Sequence, residues 1–186
     1  MRLFVAVMPP PAEVAVLDGF VGARAPELRW VPPHQWHVTL VFCGEVPETV
    51  VPELTERLRR AAARTEAFPL QLAGAGTFPH QAARARALWT GLQGDVATLT
   101  RLAQRCAAAA RRSGIDVEDR AFRPHLTLAR ARRGSVDARV ETQRLGEYAG
   151  QPWQVTTVRL VHSTLGSVVR HDPVAELPLG AAEETR

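Results

Sequence analysis

The chain has 186 residues, 46% hydrophobic and 23% charged, enough for a well-buried core and incompatible with disorder away from its ends. Its net charge of +4 is a modest basic bias, and all 23 basic residues are arginine. Without lysine there can be no lysyl-nucleotidyl or Schiff-base intermediate and no G-x-x-x-x-G-K phosphate loop, which excludes ATP-dependent ligases and kinases of the usual kinds.

Arg2–Val7 is rich in β-formers and reads as a strand ended by Pro9, Pro10 and Pro11. Residues 12–24 follow as a helix, with Val14, Leu17, Phe20 and Val21 at helical spacing and Pro26 just beyond. Residues 28–31 and 36–43 read as strands around the Pro32-Pro33 turn, and Gly44 closes the second. A helix over 47–64 carries Val50, Val51, Leu54 and Leu58 on one face and Arg57, Arg59, Arg60 and Arg64 toward its C-terminal end, where the dipole favours cations.

Residues 68–73 and 85–92 are the next strands, separated by a loop over 74–84 with a solvated His80. Asp95 starts a long helix over 95–113 that Gly114 caps. Past a polar loop at 116–123, Pro124 leads into a strand over 125–130; a weak helix over 136–145, a strand over 153–165 and a last strand over 174–179 complete the order. The polar tail, 181–186, is expected to fray. The pattern is α+β, two similar halves in one domain spanning 1–180. The apolar N-terminal stretch is too short for a signal peptide and no run is long enough to span a bilayer, so a cytoplasmic protein without a membrane partner is expected. Cys43 and Cys106 are expected to be reduced, packed thiols.

The tetrapeptide H-x-T-L occurs at His37-Val38-Thr39-Leu40 and again, 88 residues later, at His125-Leu126-Thr127-Leu128. On a strand, residues i and i+2 share a face, so each His and Thr can line a cleft while Val38, Leu40, Leu126 and Leu128 anchor a core. Two imidazoles can supply one general base and one general acid near neutrality, and the hydroxyls can bind an oxyanion between them. A third match, His162-Ser163-Thr164-Leu165, has a polar residue at the anchor position and runs into Gly166-Ser167; it reads as a chance occurrence. No Asp, Glu or Cys set with ligand spacing accompanies the motifs, so neither a metal nor a cofactor is expected.

The segments R-L-F-V-A-V at Arg2, W-H-V-T-L-V-F-C-G-E-V around His37, R-A-L-W-T-G-L around Trp89 and R-P-H-L-T-L-A-R around His125 together resemble the two-histidine phosphoesterases, and within them the RNA 2',3'-cyclic phosphodiesterases, historically called 2'-5' RNA ligases. The resemblance runs from Arg2 to about Leu179. It implies a bilobal fold with pseudo-two-fold symmetry, two antiparallel sheets around a central cleft with helices outside. The implied activity is metal-independent hydrolysis of an RNA terminal 2',3'-cyclic phosphate to a 2'-phosphate, with reversible 2'-5' joining as a further activity. By carry-over, His125 is the general base, His37 the general acid, and Thr39 and Thr127 hold the non-bridging oxygens. Arg130 matches an arginine that often extends the family's second motif, yet regular alternation puts it on the face opposite His125. Phe4 is either core or a base-stacking platform, and Arg123, Arg132 and Arg133 read as a solvated basic rim. Cys43 stands where leucine is usual, and the 167–171 turn lacks the aromatic usual there. The implied partner is RNA with a cyclic phosphate end, or a cyclic nucleotide, met by a monomer. The alternatives are a two-histidine enzyme for another cyclic phosphate and a non-catalytic RNA-end binder.

Overall fold

The structure is a computed structural model that describes residues 1–180; the polar tail lies outside the described residues. Along the chain it runs β1 (Arg2–Val7), α1 (Pro11–Val21), β2 (Leu28–Trp30), β3 (Val38–Glu45), α2 (Val51–Ala63), β4 (Phe68–Phe78), β5 (Ala87–Gly94), α3 (Val96–Arg112), β6 (Leu126–Ala131), α4 (Arg139–Leu145), β7 (Trp153–Val155), β8 (Thr157–Thr164) and β9 (Arg170–Pro178). The strands order as β7-β4-β5-β6-β3-β1-β8-β9, with β2 beside β6. All the pairings between these strands are antiparallel. The two sheets implied by the resemblance are β7-β4-β5-β6 and β3-β1-β8-β9, and they fuse through one pair, Val38 opposite Leu126.

The helices form where apolar residues recur every three or four positions. In α3, Leu99, Leu102, Ala103, Cys106, Ala109 and Ala110 are all buried, and the Asp95 carboxylate caps the first turn by accepting the Thr98 N–H at 2.9 Å. Helix α2 packs on α3 and on β9, and α3 packs on β3. Thus α3, from the second half of the chain, covers the β3-β1-β8-β9 sheet. Conversely α1, from the first half, is tied to the second lobe: Arg144 of α4 donates to the Phe20 and Val21 carbonyls, and the Glu13 carboxylate accepts the Gln151 N–H. One helix from each half therefore crosses to the other, which interlocks the lobes around a continuous core.

Several boundaries differ from the sequence expectation, those of β4, the 153–165 run and β9 each through a non-local contact. Strand β4 runs on through 74–78, where a loop was expected, because Gly74 takes a positive φ of 71° as a bulge whose N–H bonds the Tyr148 carbonyl. The strand expected over 153–165 is two strands in different lobes: Trp153–Val155 pairs with β4, and Thr157–Thr164 pairs with β1 and β9. The last strand begins at Arg170 rather than 174; Pro173 is tolerated because β9 is a sheet edge with a bulge beside it. Helix α1 stops at Val21, and α4 begins only at Arg139. Both cysteines are free and buried, and burial pushes the Cys43 and Cys106 thiols up to about 11 and about 12.

Candidate active site

The pair that joins the sheets also builds the site. With Val38 opposite Leu126 in antiparallel register, one residue further each way sets His37 across from Thr127 and Thr39 across from His125. The two histidines and two threonines therefore form a quartet on one face, while Val38, Leu40, Leu126 and Leu128 are buried on the other. Each histidine stands one residue before its strand, so the ring is held by local geometry. Its Nδ1 lies 2.6 Å from the carbonyl oxygen two residues earlier, Gln35 for His37 and Arg123 for His125. A carbonyl can only accept, so Nδ1 carries the proton in both rings and Nε2 is left as the reactive nitrogen. Neither threonine hydroxyl has a partner among the described residues, so both are free to donate into the cleft.

Aromatic rings fix the imidazoles from behind. Phe4 stacks on His37 with centroids 4.6 Å apart, and Phe78 meets His125 edge-on at 4.8 Å with Trp89 at 6.2 Å. Trp89 lies over Gly76, where a Cβ would come within 2.3 Å of the indole. Desolvation is the largest influence on both rings. It drives His37 down from 6.5 to about 4 against the opposing Gln35 bond, with His171, His125 and Arg130 pushing the same way. His125 is lowered by burial and Arg130, against its Arg123 bond. Both are neutral at pH 7 in the free protein.

A bulge follows each motif at the same position. In β6, Leu88 pairs with Ala129 and Trp89 with Thr127, so Leu128 is the extra residue; in β3, Val5 pairs with Val41 and Ala6 with Thr39, so Leu40 is. Consequently Leu128 and Ala129 are both buried, as are Leu40 and Val41, and the next side chain turns back to the cleft. This corrects the expectation for Arg130, which lines the cleft on the face of His125. The equivalent residue of the other motif is Phe42, 46% exposed in the cleft with the Arg2 guanidinium 4.7 Å from its ring centroid. Phe4, 4% exposed and stacked under His37, is too covered to be a base platform.

The cleft has a volume of about 520 Å³, and Arg2, Arg29 and Arg130 line it without a single carboxylate. None of the three arginines forms an ion pair among the described residues, so the site is built for an anion. His162 points away from it: on β8 it is Ser163 that faces the cleft. His80 is exposed in its turn. Arg123, Arg132 and Arg133 are all exposed, and Arg132 also donates to the Pro26 carbonyl at 2.8 Å. Sequence reasoning missed Phe42, Ser163 and His171. Only the recurrence of a residue five positions after each motif histidine could have indicated Phe42. Among the described residues no three His, Cys, Asp or Glu side chains converge to hold a metal. No helix there is long and apolar enough to cross a membrane.

Two pseudo-symmetric strands present His and Thr to one arginine-lined cleft, the arrangement that the resemblance to the two-histidine phosphoesterases implies. Comparison with known proteins agrees on the family. The model of the 2'-5' RNA ligase superfamily matches residues 9–167. An RNA 2',3'-cyclic phosphodiesterase of Geobacillus stearothermophilus is 30% identical over 173 residues, 93% of this chain, which spans 54% of that protein's length. The RNA 2',3'-cyclic phosphodiesterase of Aeropyrum pernix is 34% identical over 140 residues, 74% of this chain and 78% of that one. The crystal structure of TT0787 of Thermus thermophilus superposes with a TM-score of 0.79 at 29% identity, covering 97% of this chain and 99% of that one. Escherichia coli LigT complexed with 3'-AMP gives 0.78 at 27% identity, covering 96% and 97%. The chain belongs to the 2'-5' RNA ligase superfamily.

Proposed function

We propose that this protein opens the 2',3'-cyclic phosphate at an RNA end, leaving a 2'-phosphate and a free 3' hydroxyl. In-line displacement at phosphorus needs a base for the attacking water and an acid at the opposite oxygen. His125 Nε2 takes the proton from water, and His37 Nε2 gives one to the departing 3' oxygen. Thr39 and Thr127 donate to the non-bridging oxygens, where charge accumulates, and Arg130 neutralises it. Phe4 keeps the His37 ring in line.

The observation that carries this reading is the quartet built on the Val38–Leu126 pair, with both Nδ1–H groups occupied and both Nε2 atoms free. The direction of the reaction has its own support. Water and leaving oxygen lie on opposite sides of phosphorus, so the ribose, which carries the leaving oxygen, must lie on the side of the acid. Of the residues that line the cleft, Phe42, Ser163, His171 and the 165–169 turn belong to the sheet of His37, whereas Phe78 and Trp89 pack against His125. That leaves space for a nucleoside by His37 and for little more than water by His125. A neutral His37 must acquire its proton as substrate arrives, and the phosphodiester anion supplies the counter-charge that raises its affinity for one.

The test is an RNA ending in a 2',3'-cyclic phosphate, with the product identified by phosphorus NMR against authentic 2' and 3' monophosphates. The expected signal is the 2'-phosphate. A predominant 3'-phosphate would reverse the assigned orientation, and an unaltered cyclic phosphate would refute the activity.

A further inference from the structure

The His37 side of the cleft holds a third imidazole that neither motif supplies. His171 lies on β9 opposite Ser163 of β8, and both side chains line the cleft. Its ring stands edge-on to Phe4, with centroids 5.1 Å apart, and to His37 at 5.3 Å. Since Phe4 also stacks on His37, the three rings form one cluster. Gln35 holds two of them in place: its main-chain carbonyl takes the His37 Nδ1–H, and its side-chain amide donates at 2.7 Å to the carbonyl of Val169, two residues before His171.

The two nitrogens of His171 face different surroundings. Nδ1 is shut off from solvent and has no hydrogen-bond partner among the described residues, whereas Nε2 is neither enclosed nor bonded. A buried N–H with no acceptor is rarer in proteins than an acceptor lacking its donor, so the neutral ring keeps its proton on Nε2. This is the opposite tautomer to His37 and His125, whose Nδ1–H groups are bonded to carbonyls. Burial holds His171 below the usual histidine range, with exposed His34 pushing the same way and Asp172 opposing, so the ring is uncharged at neutral pH.

We propose that His171 is a nucleoside-binding residue of this site, donating its Nε2–H to an acceptor atom of the terminal ribonucleoside whose cyclic phosphate sits between His37 and His125. The inference rests on the cyclic phosphodiesterase reading, which places the ribose on the His37 side. It assigns His171 to substrate recognition: its open nitrogen already carries a hydrogen to donate in the free protein, where that of His37 must first acquire one.

The experiment compares His171→Gln, His171→Phe and His171→Ala with the wild-type protein. Gln can return an N–H donor near the Nε2 position, and Phe returns the ring against Phe4 and His37 without a donor. Affinity for adenosine 2'-monophosphate is measured by calorimetry, alongside kcat and KM on adenosine 2',3'-cyclic phosphate, with thermal melts to confirm folding. Loss of one hydrogen bond should weaken affinity and raise KM about tenfold in the Phe and Ala variants, with kcat within about threefold and with Gln recovering most of the loss. Full recovery by Phe would show that the ring only packs, and a fall in kcat at unchanged KM would show that it positions His37; either overturns the proposal, as does an Ala variant within twofold of wild type. Because monophosphate affinity is read without turnover, a protein that binds through His171 but leaves the cyclic phosphate intact would refute the activity and not this contact.

Discussion

Acidification should destabilise this protein through His37 in particular, and replacing that residue should remove the effect. Burial, helped by the positive neighbours and opposed by the Gln35 carbonyl, takes the ring from 6.5 to about 4 in the folded state. An unfolded chain binds the proton near ~6.5, so between that pH and about 4 the unfolded state holds more protons than the folded one. Stability from this group is therefore fully present above pH ~6.5, declines as pH falls through the window, and is lost once the folded ring is protonated too. A displacement of 2.5 units, from 6.5 to about 4, corresponds to about 3 kcal/mol, a sizeable part of the roughly 5–15 kcal/mol that holds an ordinary domain together. Urea unfolding of the wild-type protein and His37→Gln at pH 7 and at pH 4 measures it. The stability of the variant relative to wild type should rise by about 3 kcal/mol over that interval. A difference that stays constant with pH would refute the claim that burial keeps His37 neutral, and with it the need for substrate to charge the acid.

Rate measurements should follow the same logic. His37→Ala and His125→Ala should each lose on the order of a hundred- to ten-thousandfold in kcat while remaining folded, and His162→Ala should stay within about twofold of wild type; an essential His162 would show the wrong pair had been chosen. Thr39→Ala and Thr127→Ala should each lose on the order of ten- to a thousandfold if each supplies one donor to the phosphate oxygens, as single-turnover rates would show. Because both motif histidines are lowered, the bell-shaped kcat/KM profile of the free protein should peak on the acid side of pH ~6.5, its limbs belonging to the coupled pair. A maximum above pH 7.5 would contradict the burial argument. Gly76→Ala should cost on the order of 1–3 kcal/mol in denaturant unfolding, because its Cβ would sit 2.3 Å from the Trp89 ring that supports His125; an unchanged midpoint would mean that the indole is free to move aside.

Much of the site was legible in the chain because it obeys local rules. Alternation by two put His37 with Thr39 and His125 with Thr127, and it put Val38, Leu40, Leu126 and Leu128 into the core, all as found. The buried stripe of α3 and its Asp95 cap are likewise written in residues three and four apart. The false match at His162 betrayed itself by Ser163 at the anchor position, and Ser163 does face the cleft in its place.

What the chain could not show on its own depends on counting residues on a neighbouring strand. Arg130 falls on the face opposite His125 only if nothing is inserted between them, and the insertion at Leu128 exists because β5 offers one residue fewer on the other side of the ladder. The same is true of Leu40 and Phe42 against β1. The run at 153–165 reads as one strand because its composition is uniform, yet its two parts find partners in different lobes. His171 enters the site through pairing with Ser163 and the bond from Gln35 to Val169, a contact across 134 residues of sequence. Local periodicity determined which residues could carry the chemistry; long-range strand register, which no short window contains, decided which other side chains would stand beside them.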